Sequence, residues 1–212
     1  EKPWFVTLVT SGTHHPFNTV PGDFPAISGE REMERAIRYA DAAVGELVER
    51  LRQKGVLEKT LLIITSDESL GLPHTEDGQL RWMAGNWSFL LVSGPGILPG
   101  NVPELAMHAD LALSLTDLLG LNDETLSFGG RSIFRNYQEG RDIAFANTYH
   151  RAVTGVRADG TAWRCKEYFD RCVRWQPGAN SLFAPGASPE MPAPVNEAAW
   201  LESIAAYSRG RY

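Results

Sequence analysis

The stretch "RYADAAVGELVERLRQKGVLEKTLLIITSD", residues 38–67, passes from a helical period into an apolar run and stops on a carboxylate. Its first half continues a pattern in which Met33, Ile37, Ala40, Val44, Leu47 and Leu51 recur at three- and four-residue steps. Arg, Glu and Lys fill the remaining faces, so the spacing predicts an amphipathic helix over about 30–54. Ser28 is the expected N-cap and Gly55 the expected stop. The second half, "TLLIITSD" (60–67), reads as a buried strand ending on polar residues.

Outward from this unit the same alternation repeats. Trp4–Thr10 is apolar and β-branched enough to be a buried strand, and residues 11–29 read as a loop rich in Gly, Pro, Ser and Asn. "WSFLLVSGPG" (87–96) is a third expected strand, and a second helix is expected from about His108 to Leu119, stopped by Gly120. Strand, helix, strand, helix in this order is the grammar of an α/β layered sheet. Such sheets bind ligands beyond the carboxyl ends of their strands. The first strand ends on Ser11–His15 and the second on Ser66-Asp67-Glu68. If the two run parallel in one sheet, His14 and Asp67 emerge at the same edge.

After residue 140 the rhythm changes. "RDIAFANTY", "AVTGVRADG" and "TAWRCKEYF" read as short strands, with Ala158-Asp159-Gly160 the clearest hairpin signal. A Pro/Gly/Ser/Ala-rich stretch over 176–195 reads as irregular, and a short helix over about 196–207 follows. The expected organisation is an α/β part over 1–140 and a small β-rich part with a terminal helix over 141–212. Cys165 and Cys172 lie too far apart for a disulfide on a straight helix, whose rise over seven residues is about 10 Å. In a hairpin they can pair, which would point to an oxidising compartment; the alternative is two ordinary thiols.

The composition, 43% apolar and 22% charged over 212 residues, is that of a globular protein. A net charge of −6 without a Lys/Arg cluster speaks against a nucleic-acid partner held by phosphate contacts. No apolar run reaches the ~18 residues of a membrane span. The chain opens on "EKPWFVTLVT", without Met and almost at once in a strand-like run, which reads as a cut into a larger protein and leaves targeting unreadable.

Asp67-Glu68 is a carboxylate pair of the kind that holds hard or borderline divalent cations, and histidine co-ligands favour zinc or manganese. His14, His15 and His74 are candidates to join such an ion or to contact an anionic substrate. Each has a plainer reading: Asp67 as a strand-end carboxylate, His74 as an exposed loop residue. His108 has the plainest, since it opens a helix whose Asp110 is a first-turn acid favoured by the dipole. His150 has no evident partner.

Taken in order, the segments resemble a known family. "KPWFVTLVTSGTHHPF" (2–17) resembles the segment of lipoteichoic acid synthases and related phosphoglycerol transferases in which a strand ends in a His-x-Pro-Phe-like loop. "RYADAAVGELVERLRQKGVLEKTLLIITSD" resembles the helix and strand that lead to the Asp-His metal ligands of the alkaline phosphatase/sulfatase superfamily. "LLVSGPGILPGNVPELAMHADLALSLTDLLGL" (90–121) and "GGRSIF" (129–134) are similar to the stretches that follow. The resemblance runs over roughly 2–134 and fits the remainder loosely.

It implies an alkaline phosphatase-like layered mixed sheet with helices on both faces and a small C-terminal β subdomain. It also implies a nucleophile resting on a divalent metal (manganese, zinc or magnesium), with Asp67 on the aspartate ligand and His14 on the histidine that meets the substrate's phosphate. His15 falls on the variable position before the proline. Two departures stand out. Where the family has a metal-binding histidine after the aspartate, this sequence has Glu68, either as an oxygen ligand in its place or as part of a motif shortened by two residues. In the second case His74 resembles a downstream substrate histidine. The nucleophile and its acidic co-ligand belong to a part of the family that would precede residue 1, and no residue here is assigned to them.

The resemblance therefore implies phosphoglycerol or phosphoethanolamine transfer to an envelope glycan or lipid, outside the cytoplasmic membrane. Arylsulfatase-type hydrolysis is the runner-up. A non-catalytic relative with a degenerate metal site, binding anionic glycans, is the third reading. The missing N-terminal segment of the same protein is an expected partner.

Overall fold

The computed structural model describes residues 2–67, 69, 78–102, 104–121, 130–147, 150–166, 169–176 and 190–209. Four helices, α1 (Glu32–Gln53), α2 (Gly78–Gly85), α3 (Asp110–Leu118) and α4 (Val195–Arg209), are described. They accompany six strands: β1 (Leu62–Thr65), β2 (Leu90–Ser93), β3 (Ile143–Asn147), β4 (Ala152–Val156), β5 (Ala162–Lys166) and β6 (Arg171–Trp175). The fold is mixed α/β with two antiparallel sheets. The chain forms two compact units, residues 1–65 with 89–98 and residues 66–88 with 99–212.

In the first unit α1 forms as expected but starts later. Its N-cap is Arg31, whose N–H donates to Glu34 Oε2 at 3.0 Å while its guanidinium pairs with the same carboxylate. Ser28 therefore lies outside the helix. The other end follows the predicted stop. Gly55 takes φ +63°, and the N–H groups of Gly55 and Val56 donate to the carbonyls of Arg52 and Leu51, closing a Schellman motif.

β1 and β2 pair antiparallel, with Leu62 opposite Ser93 and Thr65 opposite Leu90. Parallel alignment is thus not what joins them, and neither strand is fully buried: β2 leaves Leu90 and Leu91 39% and 53% exposed. Gly94 permits the close approach at the end of the ladder, because a Cβ there would lie 2.9 Å from the Thr60 carbonyl oxygen. The expected strand Trp4–Thr10 has no ladder partner among the described residues and is not part of either sheet. Phe5 is 81% and Val9 91% exposed. β-propensity reports how well a residue fits a pleated, half-buried surface, and without neighbouring strands it does not make a strand.

The second unit is built on a meander, β3-β4-β5-β6, antiparallel throughout. The side-chain period of two sends Ile143, Ala152, Val156, Ala162 and Trp175 to one face, where they pack on Trp82 and Met83 of α2. Trp163, Cys165 and Cys172 point to the other, against Leu201 and Trp200 of α4. Gly155 lets α4 approach that face: a Cβ there would meet Leu201 Cδ2 at 2.5 Å and Trp200 at 2.7 Å. The β4–β5 turn falls on Ala158-Asp159-Gly160, with Gly160 at φ +82°.

Cys165 and Cys172 sit directly opposite each other on β5 and β6 and form a disulfide. The backbone N–H and C=O of Cys172 turn outward to Met191, at 2.7 and 3.0 Å. The cysteines are thus a non-hydrogen-bonded cross-strand pair, whose side chains lie closest. The hairpin reading of these residues, not the helical one, describes them.

Candidate functional site

The His14–Phe17 loop belongs to the first unit. The Phe17 N–H donates to the His14 carbonyl at 2.9 Å, and the His15–Pro16 peptide bond is cis, giving a tight turn with proline at its third position. Within it His14 Nδ1 lies 2.6 Å from the His15 carbonyl oxygen. A carbonyl only accepts, so Nδ1 carries a proton, and in the neutral ring Nε2 is the acceptor nitrogen. The imidazole is exposed, and its orientation is set by its neighbour's backbone. His15 is also exposed and rests edge-on against Phe17, ring centroids 5.7 Å apart.

The chain leaving this turn is tied to α1. Arg35 donates to the carbonyls of Pro21 and Phe24, at 3.1 and 2.6 Å. Arg38 forks onto Glu30 at 2.8 and 2.9 Å and stacks over Phe24. The hydrogen bonds from Arg38 hold the Glu30 carboxyl below its usual range. Phe17, Asn18, Val20, Glu32 and Arg35 line a depression beside the turn. Within the first unit the segment that follows the histidine turn is therefore braced against α1.

Asp67 belongs to the second unit, exposed in the bend that follows β1 in the chain. Glu68 and His74 lie outside the described residues. Beside Asp67 the structure brings in a residue to which the sequence assigns only a helix start: His108. Its Nε2–H donates to the Ser66 carbonyl at 2.7 Å. Ser88 Oγ–H donates to the same carbonyl at 2.7 Å and lies 3.2 Å from His108 Nε2. A Ser66–Ser88–His108 knot thus holds the backbone immediately before Asp67. No local signal marks His108, since its partners are 20 and 42 residues away in sequence.

Asp110 is not merely a first-turn acid. It is 1% exposed and accepts from the Met107 N–H at 2.6 Å and the Arg131 N–H at 2.9 Å. Arg141 grips both of its oxygens. This buried pair fixes the start of α3, and with it the chain position of His108.

Among the described residues no three His, Cys, Asp or Glu side chains converge as a metal-binding group. Asp67 supplies one carboxylate of the kind a divalent ion takes. What the described residues offer is an oriented imidazole in one unit and, in the other, a carboxylate whose preceding backbone is held by His108.

A family model described as Sulfatase matches residues 1–121, a span that includes His14, His15, Asp67, Glu68, His74 and His108. Phosphoglycerol transferase I of Xanthomonas euvesicatoria pv. vesicatoria is 28% identical over 149 residues, covering 68% of this chain and 21% of that protein. Phosphoglycerol transferase I of Xanthomonas campestris pv. campestris (strain B100) is 30% identical over 141 residues, 64% of this chain and 20% of that protein. Arylsulfatase A of Homo sapiens is 30% identical over 138 residues, 57% of this chain and 26% of that protein. The chain thus spans about a fifth to a quarter of the length of these curated relatives.

Proposed function

This chain belongs to the sulfatase family, and from that premise we propose that it serves the transfer or hydrolysis of a phosphate or sulfate ester, with phosphoglycerol-type transfer to an envelope glycan or lipid as the first assignment. The observation that carries the reading is the family match over 1–121, within which the His14 turn and Asp67 both fall. Protonated on both nitrogens, His14 offers Nε2–H⁺ to a non-bridging ester oxygen, a charge-assisted hydrogen bond. Neutral, it offers a lone pair at the same place. The His15 carbonyl keeps the ring aimed in both states.

The proposed divalent metal rests on Asp67, with Glu68 as its neighbour in sequence; when bound, such an ion acts as a Lewis acid toward the ester and lowers the pKa of a nucleophile. Support comes from the residue types and the family. An extracytoplasmic location is proposed on the Cys165–Cys172 disulfide, since such bonds persist in oxidising compartments.

A second reading, sulfate-ester hydrolysis, is favoured by the equal identity to arylsulfatase A. The test is turnover of a glycerophosphoryl nitrophenyl ester against nitrophenyl sulfate by the longest natural form of the protein, with His14→Ala alongside. Preference for the phosphodiester, lost in His14→Ala, supports the first assignment. Preference for the sulfate supports the second. Activity toward neither supports a glycan-binding relative.

A further inference from the structure

Among the described residues seven arginines pair with carboxylates, Arg31, Arg38, Arg50, Arg52, Arg135, Arg141 and Arg157. Arg164 meets an aromatic ring instead. It projects from the middle of β5 onto the α2 face of the meander, opposite Thr154 of β4 and Val173 of β6. Those two neighbours are 0% and 4% exposed, so the guanidinium is walled on both sides. Its carbon lies 5.1 Å from the centre of the Trp82 ring, which is fixed by an indole N–H bond to Thr154 Oγ1 at 2.9 Å. Arg164 makes no hydrogen bond or ion pair with a described residue. Burial pushes its pKa down, against a weaker opposing pull from Glu190, which forms no ion pair with it.

A guanidinium stays charged at any ordinary pH, so partly desolvating one that no described carboxylate pairs with is a cost that a bound anion would offset. Its planar fork matches two oxygens of a tetrahedral phosphate or sulfate. Two further groups belong to the same face or the same ring. Lys166 lies two residues along β5 on the same face, and His150, from the β3–β4 turn, meets the Trp82 ring edge-on at 5.3 Å.

We propose that Arg164, with Lys166 and His150 around the Trp82 ring, forms a binding site for a phosphate or sulfate group on the α2 face of the four-stranded sheet. The group arrives either on a soluble ester or on a lipid headgroup; the recognising chemistry is the same. The site uses neither His14 nor Asp67 and stands independently of the reaction assigned above.

The 212-residue chain, Arg164→Gln, Arg164→Lys and Lys166→Gln are titrated with inorganic phosphate and with phosphatidylglycerol vesicles, against sodium chloride at matched ionic strength. Saturable phosphate binding is expected, weakened about tenfold in Arg164→Gln and less in Arg164→Lys, which keeps charge but loses the fork. Lys166→Gln is expected to weaken binding with Tm unchanged. Phosphate raises the wild-type Tm and, at the same concentration, raises that of Arg164→Gln by less. Response to phosphate assigns a soluble ester; response to vesicles alone assigns a headgroup. Without ligand, Arg164→Gln is expected to match or exceed the wild-type Tm. Equal binding by wild type and Arg164→Gln, a wild-type response no larger than that to chloride in both arms, or a lowered unliganded Tm in Arg164→Gln overturns the proposal.

Discussion

His108 donates its Nε2–H to the carbonyl of Ser66, one residue before Asp67, at 2.7 Å. A side chain 42 residues downstream therefore steadies the backbone that presents the proposed metal carboxylate. Groups that orient a ligand typically change metal affinity by 10–100-fold when lost. His108→Ala is expected to weaken binding of manganese or zinc about tenfold in a competition titration with a chelating dye. Far-UV circular dichroism should be unchanged. Unaltered affinity would mean that the knot is structural only.

Asp110 and Arg141 are the costliest pair to break. The carboxylate is 1% exposed, and removing either partner leaves a buried charge without compensation. Asp110→Ala is expected to lose about 3–5 kcal/mol in urea unfolding, against at most about 1 kcal/mol for Glu46→Ala, whose pair with Arg50 on α1 is exposed.

Asp117 gives a pH signature. Hydrogen bonds from Arg135, then from Ser132, lower its pKa from 3.8 to about 2. A depressed folded-state pKa contributes stability above the unfolded value, and that contribution fades as pH falls from about 4 toward 2. The wild-type advantage over Asp117→Asn in Tm should therefore be full near neutrality and shrink across that window. A difference constant from neutral pH to below the window would contradict it.

The Cys165–Cys172 bridge closes a short loop between paired strands, which in the chain-entropy account contributes about 2.5 kcal/mol. Cys165→Ser with Cys172→Ser should lower the urea midpoint accordingly. Both sulfurs sit in residues at most 2% exposed, so mild reductant should leave the folded protein unlabelled by a thiol reagent and label it only after unfolding.

What was legible in the sequence is what neighbouring residues decide. The α1 period, the Gly55 stop and the Ala158-Asp159-Gly160 turn are all local, and each is where its residue types put it, whereas for Cys165 and Cys172 the local pattern leaves pairing and free thiols both open. The α/β class followed from the order of elements. Trp4–Thr10 misled because apolar β-branched residues state a preference for a sheet without supplying its other strands. Arg31 displaced Ser28 as N-cap because Glu34 reaches back to its N–H. The antiparallel pairing of β1 with β2 and the contact of His108 with Ser66 depend on tertiary proximity that no local pattern encodes.

The most direct test of the proposed function is elemental analysis of metal in the purified protein in its longest natural form, beside Asp67→Ala. The account predicts stoichiometric manganese or zinc that is lost in the variant while its Tm stays near that of wild type. No divalent metal in either protein after incubation with both ions, or equal metal in both, would contradict it.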